Sequence, residues 1–177
     1  MKIKGYATVL VVAITLPVVQ ALASTSIDVG FSPEGSAQQL VLRTLDDAHE
    51  SIRLMGYSFT SPEVVKALVA AKRRGVDVRV VVDDKGNRSK ASQAALNVVA
   101  GADIPIRTIS KYKIMHDKVI ITDGRNVEAG SFNYTRSAAE SNLENALVVR
   151  DVPALAQTYL AHWQSRWDDG KDWSVSY

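Results

Sequence analysis

The sequence of 177 residues contains no cysteine. This absence excludes disulfide bonds, cysteine nucleophiles and zinc sites built from thiolates. A chain of this kind depends on its hydrophobic core, and on oligomerisation, for stability. Histidine is also scarce, because the chain has only His49, His116 and His162. Any chemistry that needs an imidazole must therefore use one of these three side chains.

The N-terminus has the three-part pattern of a secretory signal. Lys2 and Lys4 precede an apolar run over residues 7–19, and Ala21-Leu22-Ala23 supplies small residues for cleavage. The alternative is a membrane anchor, but the run is too short to span a bilayer and Pro17 interrupts it. The sequence therefore predicts a signal peptide at 1–23, export, and a mature domain at 24–177.

The mature chain has no excess charge of either sign. Removal of Lys2 and Lys4 leaves 19 basic and 19 acidic residues. Overall electrostatics therefore give no indication of a nucleic-acid-binding protein. A surface that binds phosphate must be a local cluster of side chains.

Apolar periodicity along the mature chain alternates between strand and helix. β-branched runs and amphipathic segments follow each other without a low-complexity linker, and Asp123-Gly124-Arg125 is a hairpin signal. The pattern predicts one α/β domain with helices on both faces of a mixed sheet. The predicted strands are 27–31, 51–58, 76–82, 104–109, 118–122, 126–129 and 144–149, and the predicted helices start near 37, 62, 89 and 152.

Polar side chains gather around the hairpin. In a strand, residues two positions apart share a face, so His116 and Lys118 should project together. Imidazole is suited to nucleophilic attack and proton transfer near neutral pH, and the lysine ammonium is suited to a phosphate oxygen. Ser131 and Asn133 follow the second hairpin strand, where Asn133 could donate to the same phosphate. Glu144 opens the next strand, where its carboxylate could orient a histidine ring.

The pattern His116-x-Lys118-x-x-x-x-Asp123-Gly124, followed by Gly130-Ser131-x-Asn133 and Glu144, resembles the HKD motif of the phospholipase D superfamily. The resemblance implies a phosphodiesterase that forms a covalent phosphohistidine and needs no metal or cofactor. It implies that His116 is the nucleophile, that Lys118, Ser131 and Asn133 bind the phosphate, and that Glu144 orients the histidine. Asp123 belongs to the motif as a catalytic candidate, although Asp-Gly is also favoured at a turn for backbone reasons.

One histidine cannot attack phosphorus and protonate the departing oxygen at the same time. Family members with two motifs supply both imidazoles from one chain. Here position i+2 is Ser51 after His49 and Gln164 after His162, so neither histidine begins a second motif. The second imidazole must then come from another copy of the chain. A homodimer with twofold symmetry meets this need, because the His116 residues of both chains can share one active site.

The short exported form with a single motif resembles a periplasmic endonuclease of this superfamily. The expected substrate is DNA, with RNA as an alternative, and no base-reading element is visible. The same chemistry on a lipid headgroup would give a phospholipase D or cardiolipin hydrolase, but no amphipathic membrane segment follows the leader. A noncatalytic binding protein is the third hypothesis, and the intact His116 and Lys118 argue against it. Asp83 and Asp84 are adjacent and indicate a loop rather than a metal site.

Overall fold

The computed structural model describes Met1 and residues 24–175. Residues 2–23, which hold nearly all of the predicted signal peptide, lie outside the described part. The strands are β1 (Ser26–Ser32), β2 (Ser51–Gly56), β3 (Asp77–Asp83), β4 (Ile106–Ile109), β5 (Lys118–Thr122), β6 (Asn126–Gly130), β7 (Glu144–Arg150) and β8 (Lys171–Asp172). The helices are α1 (Ser36–Asp46), α2 (Pro62–Arg73), α3 (Lys90–Gly101), α4 (Arg136–Glu140) and α5 (Pro153–Asp169).

The eight strands form one mixed sheet in the order β1-β7-β6-β5-β2-β3-β4-β8. β2, β3 and β4 run parallel, and the remaining neighbours pair antiparallel. The predicted α/β domain with a mixed sheet is confirmed. The sequence did not predict α4 or β8, because one turn of helix and two paired residues are too short to produce a periodic pattern.

Helices α1, α2 and α3 cover one face of the sheet. Their apolar stripes pack on alternate residues of the strands, among them Leu54, Val80, Ile120 and Val148, in the larger core cluster. Local sequence explains where α2 begins, because the Ser61 side chain accepts a hydrogen bond from the Val64 amide and proline occupies the first turn.

Helix α5 covers the centre of the opposite face. Its Trp163 is 1% exposed, and the Trp163 indole donates a hydrogen bond of 3.1 Å to the Leu54 carbonyl. Met55, Val81 and Ile121 complete this second core cluster. Helices therefore lie on both faces, as predicted. Within residues 24–175, no helix combines the length and the apolarity needed to cross a membrane.

The α5 face is uncovered at the β7–β1 end of the sheet. Ile27, Val29 and Phe31 alternate along β1 and are 66%, 55% and 53% exposed. Val29 pairs with Leu147 of β7, which is also exposed, and Phe31 pairs with Asn145. An apolar strip of this kind on one sheet face is a common feature of interaction surfaces. Ile27, Val29, Phe31 and Leu147 together form this surface, the β1 strip.

Strand direction brings distant segments to one edge of the sheet. β5 is antiparallel to β2, so its first residue, Lys118, pairs with the last residue of β2, Gly56. β6 ends beside the start of β7, where Gly130 pairs with Ala146. The residues at this edge are Gly56, Asp83, Ile109, Lys118, Gly130 and Glu144.

A carboxyl group is buried in the middle of β6. Glu128 is fully buried between Ile120 of β5 and Val148 of β7, and its Oε2 accepts a hydrogen bond of 3.1 Å from the Tyr134 hydroxyl. Its Oε1 has no hydrogen-bond partner among the described residues. Burial raises the pKa of Glu128 to about 8, although the Tyr134 hydrogen bond favours the ionised form. Glu128 is therefore mostly protonated at neutral pH.

Ionisation of Glu128 should make stability depend on pH. The unfolded chain releases this proton near pH 4.5 and the folded chain only near pH 8, so the free energy of unfolding should fall between these values and level off above them. Glu128→Gln cannot ionise and should remove this loss, which amounts to a few kcal/mol. Urea denaturation of both proteins at about pH 5 and about pH 9 measures the effect. An equal difference between the two proteins at both pH values would contradict the assignment.

Candidate active site

His116 lies at the end of an irregular segment, residues 110–117, that enters β5. Its side chain is exposed, and the ring packs on Tyr57 with 4.8 Å between the ring centroids. No hydrogen bond engages the imidazole nitrogens of His116 within residues 24–175. The ring is thus held on one side and open to a ligand on the other.

Lys118 begins β5 and is 5% exposed. Its ammonium donates a hydrogen bond of 2.7 Å to the His116 carbonyl and lies 5.5 Å from the centre of the Tyr57 ring. Burial lowers the pKa of Lys118, and attraction by Glu144 and Asp117 opposes this effect. A poorly hydrated ammonium interacts strongly with an anion, because less water is displaced on binding.

Ser131 and Asn133 lie beyond the end of β6, where the chain crosses close to β7. The Ser131 and Phe132 amides both donate to the Asn145 carbonyl, and the Ser131 hydroxyl accepts from the Asn145 amide at 3.0 Å. Gly130 permits this approach, since a Cβ there would lie 2.2 Å from the Asn145 carbonyl oxygen. The close crossing turns Ser131 and Asn133 toward His116 and Lys118.

The Asn133 side chain has an unused polar atom at the site. Its Oδ1 is buried and has no hydrogen-bond partner in the described part of the chain. Rotation of the side-chain amide by about 180° would exchange Oδ1 and Nδ2 and place the N–H donors where Oδ1 now lies. Such a group can donate to an oxyanion without breaking an existing hydrogen bond.

Glu144 begins β7 and lines the same cleft as His116. Its Oε1 accepts a hydrogen bond of 2.9 Å from the Asn142 side chain. Among the described hydrogen bonds, none joins Glu144 to the His116 ring of the same chain. The predicted orienting role of Glu144 therefore stays a prediction.

The resulting cleft has a volume of about 520 Å³. It brings together five of the six side chains predicted from the sequence, namely His116, Lys118, Ser131, Asn133 and Glu144. It combines a free imidazole, a desolvated ammonium and an amide, which can hold a phosphate and attack it. No group of three or more histidine and acidic side chains suited to a metal ion occurs within residues 24–175.

Asp123 does not line this cleft, which favours the turn role over the catalytic role between which the sequence left it open. It follows the last residue of β5, whereas Lys118 is the first residue of that strand and His116 lies two positions before it. Its backbone has a positive φ of 54°, and Gly124 follows with 62°, as expected for a tight hairpin turn. The Asp123 carboxylate accepts from the amides of His49, Glu50 and Ser51 at the start of β2. Asp123 is a structural residue that joins two loops.

Two contacts around residues 116–118 were not predicted from the sequence. Tyr57, at the end of β2, touches both His116 and Lys118 but lies about 60 positions upstream, outside any motif. His162 of α5 lies 3.1 Å from the Asp117 carboxylate, next to His116. The sequence offered no signal for either contact beyond the chemistry of the side chains.

Residues 41–167 match the family described as "Cardiolipin synthase, PLD-like domain". The chain belongs to the phospholipase D superfamily. It is therefore a phosphodiesterase of that superfamily, and the resemblance inferred from the HKD motif is confirmed.

Relatives within the phospholipase D superfamily carry different names. The chain is 33% identical to phospholipase D of Rickettsia prowazekii (strain Madrid E), over 84% of this chain and 71% of the relative. It is 31% identical to mitochondrial cardiolipin hydrolase of Xenopus laevis, over 76% of this chain and 62% of the relative. A solved structure of the phospholipase D family member Nuc from Salmonella typhimurium is 55% identical with a TM-score of 0.84, covering 85% of this chain and 99% of Nuc. The fold is thus shared along nearly all of Nuc.

The structural role of Asp123 predicts separate effects on stability and turnover. Asp123→Asn removes the charge that accepts the three amides of residues 49–51, so the free energy of unfolding should fall by about 1–3 kcal/mol. The kcat of the folded variant should stay within about twofold of the unsubstituted protein, because the carboxylate lies a strand length from the cleft. Urea denaturation and turnover of a chromogenic phosphodiester measure the two quantities. A large loss of kcat with unchanged stability would restore Asp123 to the catalytic set.

Proposed function

We propose that the protein is an endonuclease that hydrolyses DNA phosphodiester bonds through a covalent phosphohistidine. The observation that carries this proposal is the open cleft that is lined by both the free imidazole of His116 and the desolvated ammonium of Lys118. The 55% identity to Nuc and the resemblance of the exported, single-motif sequence to a periplasmic endonuclease support the nucleic-acid substrate.

The reaction is a double displacement at phosphorus. A neutral His116 nitrogen attacks and forms a P–N bond, while the P–O bond to the departing nucleotide breaks and a second imidazolium protonates that oxygen. The second imidazole then removes a proton from water, which attacks phosphorus and breaks the P–N bond. His116 is regenerated, and the net change is consumption of one water per ester cleaved.

The nonbridging phosphate oxygens gain charge during both displacements. Lys118 and Asn133, which line the cleft together with Ser131, would bind them. A Lys118 contributed by each of two chains would place two cations around one phosphate. These side chains would then supply the charge compensation that divalent ions supply in other nucleases, so the proposed reaction needs no metal.

The second imidazole would come from a second copy of the chain. His49 and His162 lie outside the cleft, so within residues 24–175 each cleft has one imidazole. The β1 strip supports a dimer, because it is an uncovered apolar surface that reaches the cleft at Phe31, the register partner of Asn145. A twofold contact beside the clefts would bring two copies of His116 to a shared site.

Hydrolysis of a phospholipid is the second candidate function. The relatives named phospholipase D and mitochondrial cardiolipin hydrolase favour it, and the same residues would perform the same displacement on a lipid headgroup. The 55% identity to Nuc favours DNA. The predicted leader at 1–23 supports action in the periplasm.

Substrate and metal dependence can be tested together. Purified protein is incubated with supercoiled plasmid and with cardiolipin vesicles, each with excess chelator. We expect plasmid nicking to persist in chelator and to fall by at least about a thousandfold in His116→Ala, which lacks the nucleophile. Lipid turnover without nicking would replace the proposal by the lipid function, and loss of nicking in chelator would overturn the metal-free mechanism.

A matched histidine variant checks that the effect is local. His49 is exposed at the opposite end of the sheet, and only its backbone amide is bonded to Asp123. His49→Ala should therefore cleave plasmid at the unsubstituted rate. A similar loss in His49→Ala and His116→Ala would show that the assay does not report on the nucleophile.

A shared site also predicts how mixed dimers behave. When unsubstituted subunits are exchanged with excess His116→Ala subunits, dimers with one His116 should be inactive. At constant total protein, activity should then fall as the square of the unsubstituted fraction rather than in proportion to it. Plasmid nicking across a series of mixing ratios, with light scattering to record the oligomeric state, measures this dependence. A linear decrease would mean that each chain works alone.

A further inference from the structure

The segment that carries His116 is held by side chains rather than by a neighbouring strand. Residues 110–117 form neither helix nor strand. Met115, immediately before His116, is 3% exposed, and its amide donates a hydrogen bond of 2.7 Å to Oδ2 of Asp83. The backbone on one side of the nucleophile is therefore fixed by a carboxylate from another strand.

Asp83 is the last residue of β3 and is 2% exposed. Its second oxygen, Oδ1, accepts a hydrogen bond of 2.7 Å from the Gly86 amide. No lysine or arginine forms an ion pair with Asp83 in the part of the chain that the structure describes. Backbone amides thus hold both oxygens of a buried carboxylate.

Asn87 extends this arrangement to the other side of His116. It is 2% exposed, and its Nδ2 donates to the Asp83 carbonyl at 2.8 Å and to the Tyr57 carbonyl at 2.7 Å. Its Oδ1 accepts from the Phe59 amide at 2.9 Å. All polar atoms of the side chain are used, so the position of Tyr57 relative to Asp83 is strongly specified.

Gly86 allows the turn after β3 to lie directly on Tyr57. A Cβ at Gly86 would be 2.6 Å from the Tyr57 carbonyl oxygen and 3.0 Å from its ring. The Tyr57 ring is therefore confined between this turn and the His116 imidazole that it contacts. The two walls of the histidine site, Met115 and Tyr57, are both attached to the end of β3.

From these contacts we infer that the buried pair Asp83 and Asn87 positions His116 for attack on phosphorus. Asp83 acts through the Met115 amide, and Asn87 acts through Tyr57. Neither touches the substrate, so both are positioning residues. A nucleophile displaced by a fraction of an ångström loses much of its rate while binding is little affected. The inference rests on the proposed role of His116 as the nucleophile.

The first test is Asp83→Asn, which keeps the shape of the side chain. One carboxylate oxygen becomes an NH2 group, which faces the N–H of Met115 or Gly86 and cannot accept from it. We expect kcat on a chromogenic phosphodiester to fall at least about tenfold, with KM within about twofold. A rapid-quench measurement should show that phosphoenzyme formation slows by the same factor.

Asp123→Asn is the matched control for this variant. It makes the same chemical change to a carboxylate that accepts backbone amides, but at the opposite end of the sheet. It should lower the melting temperature without slowing phosphoenzyme formation. If both variants lose kcat in proportion to lost stability, Asp83 has only a structural role and the inference is overturned.

A pair of variants at Tyr57 tests whether Asn87 positions His116 through Tyr57. This test does not depend on the folding of Asp83→Asn. Tyr57 is half-buried and its hydroxyl has no hydrogen-bond partner among the described residues. Tyr57→Phe keeps the ring contact and should retain kcat, whereas Tyr57→Ala should lose at least about tenfold. Equal activity of Tyr57→Ala and the unsubstituted protein would overturn the role of Asn87 and Tyr57 in positioning His116.

Failure of the inference can be distinguished from failure of the proposed function. The chromogenic substrate reports phosphodiester cleavage whether the natural substrate is DNA or lipid. An unsubstituted protein that forms no phosphohistidine would overturn the proposed mechanism and the inference with it. An active unsubstituted protein whose kcat is unchanged by Asp83→Asn would overturn the inference alone.

Discussion

The antiparallel pairing of β5 with β2 is the constraint on which the site depends. Because Lys118 pairs with Gly56, the first residue of β5 lies beside the last residue of β2 rather than at the far end of the sheet. The parallel partner β3 ends at the same edge, and β6 brings the Ser131 region back to it. A parallel β5 would place His116 a strand length away from Tyr57 and Asp83. Strand direction thus assembles the cleft from segments that are distant along the chain.

Burial at this edge determines the electrostatics of the cleft. The Lys118 ammonium is desolvated, and it is satisfied by the His116 carbonyl and by the Tyr57 ring. Glu144 and Asp117 attract it without forming an ion pair among the described residues. A lysine in this state remains available to a phosphate, because no carboxylate within hydrogen-bonding distance competes for it. The same low polarity that lowers its pKa also strengthens its attraction to an anion.

Hydrogen bonds from backbone amides to a carboxylate stabilise loops at both ends of the sheet. Asp83 joins the end of β3 to the segment that carries His116, and Asp123 joins the β5–β6 turn to the start of β2. Asp83 holds the irregular backbone at Met115, and Asp123 holds the backbone where the chain enters β2. Only their positions distinguish them, since Asp83 lies at the edge with the cleft and Asp123 at the edge without it. Membership of a sequence motif therefore did not identify which aspartate lies beside the segment that carries His116.

The sequence alone determined the α/β alternation, the hairpin at Asp123-Gly124 and the side chains able to hold and attack a phosphate. These features are local, because apolar periodicity, turn chemistry and the spacing of His116 and Lys118 each depend on a few consecutive residues. The tertiary structure decided that Tyr57 and Asp83 flank His116, that Asp123 is distant from the cleft and that the β1 strip is uncovered. Those facts depend on strand order and direction, which are set by long-range pairing and by burial of both sheet faces.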